Sequence, residues 1–218
     1  MHIPSTLEVL LRHWNVPHEP LPTGAQEQSD YLVSLGRSRF LIEEKTKLDD
    51  ADEEAKRARR LEIDGRALVV KPLVRRNRLS AITSKAASQL ESSGTRYDHD
   101  FRLVWFNGTG PYAKAHVMQF NAGLYGKVGV TGLHLPVRVP CYFFGHSDFF
   151  NHAARIDGAV TVYPVENGVV PMLCLNPLSP RFHSIRRTKF ARKFGRNVED
   201  PLLEEREKRA FILSSDTY

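Results

Sequence analysis

A chain of 218 residues is long enough to bury a sizeable core and fits one elaborated domain better than two independent ones. Hydrophobic residues make up 41% and charged residues 26%, which excludes a disordered or fibrous chain. Lysine and arginine outnumber the acids by 31 to 25, so a polyanionic partner is favoured, either nucleic acid or an anionic membrane surface.

"PSTLEVLLRHW" has Ser5 or Thr6 as N-cap and Leu7, Leu10, Leu11 and Trp14 at helical spacing, so a short amphipathic helix is expected there, ended by Pro17. Glu8 and Arg12 interrupt its apolar residues, and no segment reaches the roughly 18 apolar residues of a membrane span. Neither secretion nor membrane insertion is expected. "VPHEPLPTGAQEQ" reads as a loop with room for one short strand, leading into the hairpin "DYLVSLGRSRFLIEEKT". A charged segment over 48–66, acids first and bases after, suits a solvated helix aligned with its own dipole. A second packed helix is expected over 78–92 from Leu79, Ile82, Ala86 and Leu90, with Gly94 as its stop, and the strand "FRLVWF" follows.

Beyond residue 110, "PYAKAHVMQFNAGLYG" reads as a helix, "LPVRVPCYFFG" as a strand, "SDFFNHAAR" as a short helix, and "GAVTVYP" and "VVPMLCLN" as a final strand pair. Asp157 and Gly158 read as a turn. A basic run extends from Arg181 to Arg196, followed by a helix-like stretch over 200–211. Cys141 and Cys174 form no Cys-x-x-Cys, so a reducing, cytoplasmic setting is expected.

The hairpin carries the chemistry. With Gly36 and Arg37 at the centre of a type II′ turn, Leu35 faces Ser38, and counting outward pairs Val33 with Phe40, Leu32 with Leu41 and Asp30 with Glu43. Two carboxylates opposed at roughly 4.5 to 5.5 Å between Cβ atoms are destabilising unless a positive charge lies between them. A divalent cation resolves the conflict. Side-chain alternation puts Lys45 on the face of Glu43 and turns Glu44 away, leaving its backbone carbonyl for the same site. Two acids, a carbonyl and a lysine suit phosphodiester hydrolysis with Mg²⁺ or Mn²⁺. The plainer reading of a Glu-x-Lys at a strand end is a solvated edge; the upstream acid and the matching register argue against it.

"SDYLVSLGRSRFLIEEKTK" resembles the signature of the PD-(D/E)XK nuclease superfamily, in which an acid opens one strand and a Glu-x-Lys closes the next. The resemblance implies an α/β protein with a restriction-endonuclease-like αβββαβ core, its mixed central sheet flanked by helices, over residues 1–110. A C-terminal α/β elaboration with the basic tail occupies 111–218 of the same domain. It further implies Asp30 and Glu43 as metal ligands with the Glu44 carbonyl, Lys45 as the lysine, Glu8 as a further acid from the first helix, and Lys85 and Gln89 as polar residues lent by the following helix. Ser29 stands where the superfamily usually has proline, and the insert over 48–66 is an addition to the pattern.

Nucleic-acid contacts are expected from Arg75, Arg76 and Arg78 beside that helix and from Arg186, Arg187, Lys189, Arg192 and Lys193 in the basic run. Phe182, Phe190 and Phe194 either stack on bases or anchor the run to the core, the commoner fate. His146, Asp148 and His152 offer metal-ligand spacing, but an N-cap at Ser147 or Asp148 explains the same letters. No Gly-x-Ser-x-Gly elbow is present. The expected function is a Mg²⁺-dependent nuclease acting on DNA ahead of RNA, with no membrane partner. The alternative is a catalytically silent nuclease-like subunit that binds nucleic acid or scaffolds a multi-subunit complex, as in defence or mobile-element machinery.

Overall fold

The computed structural model describes residues 4–22, 29–47, 77–130 and 139–213, with positions 55, 59, 62 and 63. Those isolated positions of the expected charged helix are helical and exposed; Arg75 and Arg76 lie outside the described residues. Helix α1 (Thr6–His13) opens with a capping box: Ser5 Oγ accepts from the Glu8 amide and Glu8 Oε2 accepts from the Ser5 amide, both at 3.2 Å. Its apolar face buries Leu7, Leu10 and Leu11.

Strand β1 (His18–Pro20) is the short strand within the proline-rich loop, and it edges a hairpin of β2 (Tyr31–Leu35) and β3 (Ser38–Lys47). The hairpin register follows from the turn: Leu35 opposes Ser38, Val33 opposes Phe40 and Leu32 opposes Leu41. Gly36 has φ +69 while Arg37 stays out of the left-handed region, as a II′ turn requires. Phe40, Leu41, Ile42 and Glu43 are all buried, the pattern of a central strand covered on both faces.

Helix α2 (Asn77–Gly94) crosses over to β4 (Phe101–Gly108), which pairs parallel with β3. Gly94 closes that helix without a left-handed φ. Next come α3 (Ala113–Tyr125), β5 (Lys127–Val130), β6 (Val139–Phe143), α4 (Asp148–Asn151), β7 (Gly158–Val165) and β8 (Gly168–Leu175). The last elements are α5 (Phe182–Ile185), α6 (Lys189–Lys193), β9 (Val198–Glu199), α7 (Pro201–Arg206) and β10 (Phe211–Leu213). The main sheet runs β1-β2-β3-β4-β7-β8-β9 and is mixed, with a smaller sheet β10-β6-β5 beside it. The architecture is α/β.

Strand alternation sorts the core into two layers. Phe40, Ile42, Leu103 and Trp105 pack with α1, α5 and α6, whereas Leu41, Val104 and Phe106 pack with α2 and α3. β4 pairs with β7 across residue 110, and both layers draw on residues from either side of it.

Three expectations change. The stretch over 200–211 is helical only as far as Arg206, because Lys208 takes φ +58 and turns the chain into β10. The basic run is not a tail: Phe182, Phe190 and Phe194 are buried and pin it to the α1 layer. Asp157 is more than a turn residue. It is fully buried and accepts hydrogen bonds from the Arg102 amide at 2.8 Å and from Arg181 Nε at 2.9 Å, which joins β4, β7 and the start of the run. Among the described residues, no helix is long and apolar enough to cross a membrane.

Candidate active site

The antiparallel ladder of β2 and β3 ends at Tyr31 opposite Ile42, one step short of the expected Asp30–Glu43 pair. Asp30 instead turns its carboxylate onto β3, where Oδ2 accepts from the Glu44 amide at 2.7 Å. It still meets Glu43: each carboxyl acts on the other's ionisation. Glu43 is 1% exposed. One of its oxygens, Oε1, accepts from Lys45 Nζ, while Oε2 has no hydrogen-bond partner among the described residues.

Burial pushes the Glu43 carboxyl up to about 8, helped by the nearby Asp30 carboxylate and opposed by the pull of Lys45 and Lys85. Asp30 is also raised by burial, opposed by its bond from Glu44 and by the Lys45 charge. Near neutral pH the pair therefore holds a proton that an isolated carboxylate would have released, the signature of a site short of positive charge.

Lys45 is positioned twice over. Its Nζ donates to Glu43 Oε1 and, at 2.7 Å, to Oε1 of Gln89, which α2 brings over the end of β3. Lys85 sits one turn earlier on α2 and Arg78 two turns before that residue, both exposed, so the helix carries positive charge along the face that leads to Glu43.

Glu8 is the further acid expected from the first helix. Its carboxylate closes the α1 capping box, so its first role is to hold the helix start. Glu44 points to the α1 layer, where Oε1 accepts from Asn107 Nδ2 at 2.6 Å and from the Leu7 amide at 3.4 Å. Trp105 Nε1 in turn donates to Asn107 Oδ1 at 2.9 Å. A hollow of about 380 Å³ opens here beside Asp30 and Glu44, lined also by Ser5, Tyr31, Thr46 and Asn107. Asn107 has no local sequence signal, because it reaches Glu44 only through the parallel pairing of β4 with β3.

The other expected groups are scattered. Arg186 pairs with buried Asp200 at 2.7 Å, Lys193 donates to the Trp14 carbonyl at 3.1 Å, and Arg187 is exposed. A Cβ at Gly36 would meet Lys189 Cδ at 3.1 Å, so that lysine lies over the hairpin turn, at the opposite end of β3 from Glu43. Ser147 caps α4 by accepting from the Phe150 amide at 3.0 Å, and His152 bonds to Ser84 and Arg155. Among the described residues, no group of three or more His, Cys, Asp or Glu is placed to hold one ion. No family model, curated protein or solved structure matches the chain.

Proposed function

We propose that this chain is a Mg²⁺-dependent nuclease of restriction-endonuclease-like fold that hydrolyses phosphodiester bonds of DNA. The observation that carries the proposal is the buried Glu43 carboxyl, its Oε1 on Lys45 and its Oε2 without a partner among the described residues, next in the chain to the Glu44 amide that Asp30 bonds. Two like charges in a poorly solvated place are stable only with a proton or a cation between them. The helix–strand–strand–strand–helix–strand order through β4, with β3 and β4 parallel, supports the fold reading.

Asp30, Glu43 and the Glu44 carbonyl are the residues that would hold the ion, a hard-oxygen set that suits a cation which keeps several of its waters. When bound, Mg²⁺ supplies charge neutralisation at the phosphate and a more acidic water. Lys45 commits two of its three N–H donors to Glu43 and Gln89, which leaves the third for the attacking water or a developing phosphate charge. Arg78 and Lys85, exposed on α2, would meet substrate phosphates on the way in.

Incubation of the pure protein with plasmid, linear and single-stranded DNA in Mg²⁺, Mn²⁺ and EDTA tests the proposal. Cleavage is expected with either metal, none in EDTA, and none with Asp30→Asn or Glu43→Gln. Full activity in Asp30→Asn would overturn it. Binding without cleavage in any metal is the outcome that the silent-subunit reading requires.

A further inference from the structure

The basic run and the chain that follows it build a feature at the far edge of the sheet that the Asp30–Glu43 site does not use. A groove of about 660 Å³ lies along β9, with Arg186, Arg192, Arg196 and Arg209 set against Asp200 and Glu207. Three of the arginines come from the basic run, and tertiary structure adds Arg209 from beyond α7. Gly195, at φ +56, turns the chain between Arg192 and Arg196 so that both border the groove.

Four guanidiniums face two carboxylates, and the acids are already engaged: Arg186 Nη2 lies 2.7 Å from Asp200 Oδ2, and Arg209 Nε donates to Glu207 Oε2 at 2.8 Å. Arg192 and Arg196 have no carboxylate partner among the described residues; Arg192 donates only to the Arg187 carbonyl, at 3.0 Å. The excess positive charge is therefore concentrated on those two. A second hollow of about 270 Å³ shares Arg196, Val198 and Arg209 and continues the groove past Lys127 on the other side of β9. That second hollow also carries Glu199 and Glu204, with Lys127 paired to Glu199 at 2.6 Å, so the excess positive charge stays on the Arg192 and Arg196 stretch, in a groove far larger than one phosphate needs. No aromatic ring lines either hollow among the described residues, so there is no platform on which unstacked bases could sit.

We infer that the arginine groove along β9 binds the phosphate backbone of duplex DNA, through Arg192 and Arg196, at a site separate from the carboxylate pair. The choice of a phosphodiester polyanion rests on the function proposed above. The separation follows from strand pairing: Glu43, Val104, Ala159, Cys174 and Glu199 lie in one row of the sheet, four strand spacings from end to end. At about 4.8 Å each this is roughly 19 Å. Guanidinium suits the role, because its planar fork bonds phosphate oxygens two at a time.

Binding of a 20-base-pair DNA duplex, the matching single strand and polyglutamate, each titrated in EDTA at several salt concentrations, tests the inference. Duplex should bind tightest. Arg192→Ala with Arg196→Ala should weaken duplex binding at least tenfold and lower the log–log salt slope by roughly 1.8, about 0.9 for each phosphate no longer neutralised. Arg12→Ala with Arg37→Ala removes equal charge from exposed positions outside the groove and should leave both quantities close to wild type. An equal loss in both double variants, no loss in the arginine pair, or polyglutamate binding as tight as duplex would each overturn the groove. Cleavage in Mg²⁺ by a protein whose affinity ignores Arg192 and Arg196 removes the groove alone. Groove-dependent binding with no cleavage in Mg²⁺ or Mn²⁺ removes the nuclease proposal and leaves the groove standing.

Discussion

Asp30 accepts a hydrogen bond of 2.7 Å from the amide of Glu44, so the first acid of the site holds the strand that carries the second. The carboxylate thus has two opposite effects on the metal-free fold: a bond that stabilises β3 and a repulsion with Glu43 that destabilises it.

Asp30→Asn and Asp30→Ala separate these effects. Asparagine keeps an acceptor oxygen and removes the charge, so its metal-free stability should equal or exceed wild type. Alanine also loses the bond and should fall below asparagine by about 0.5–1.5 kcal/mol. Urea unfolding in EDTA measures both, and equal stability of the two variants would show that the bond contributes nothing. Neither variant should cleave.

Glu43 predicts an inverted pH dependence. Its folded carboxyl holds a proton up to about 8, whereas its ordinary value is 4.5, so between those limits the folded state binds the extra proton and stability falls as pH rises. The fall should approach roughly 1.4 kcal/mol per pH unit within that window. Asp30, also raised, acts in the same direction. Glu43→Gln should flatten the profile, and Mg²⁺ should bind more tightly as pH climbs toward 8, with proton release seen by calorimetry in buffers of different ionisation enthalpy. Parallel stability profiles for wild type and Glu43→Gln would remove Glu43 as the source.

Lys45→Ala should lower the cleavage rate by about a hundredfold while leaving duplex affinity nearly unchanged, because its remaining donor acts on charge that develops during reaction. Gln89→Leu, which only loosens the lysine, should cost about tenfold. Single-turnover kinetics beside equilibrium binding distinguishes the two; a matching loss of affinity would make Lys45 a ground-state contact.

Lys127 of β5 and Glu199 of β9 form a further ion pair, 2.6 Å apart, and Tyr142 also donates to Glu199, at 3.1 Å. Glu199 is buried, so Lys127→Met would strand a carboxylate and should cost about 3–5 kcal/mol in urea unfolding. Adding Glu199→Gln should recover most of the loss. A Lys127→Met protein as stable as wild type would mean that the pair is well solvated.

Local spacing alone determined the hairpin. Gly36 selects the turn, the turn selects the register, and period-two alternation then puts Glu43 and Lys45 on one face, while Asp30 lies just past the end of the ladder. The α1 capping box and the apolar stripe of α2 follow from spacings of three and four in the same way. Each of these depends on residues that are neighbours in the chain, or nearly so, and needs no knowledge of the rest. Three features depended on which distant segments meet, and no local period encodes that choice. Burial of β3 between β2 and β4 lifts Glu43 to about 8, parallel pairing with β4 sets Asn107 against Glu44, and α2 lays Gln89 on Lys45. The basic run was visible as a run, but its division was not. Buried phenylalanines pin it to the core, Asp157 and Asp200 each claim an arginine, and the turn at Gly195 places Arg192 and Arg196 along β9, because burial and charge pairing act through space rather than along the chain.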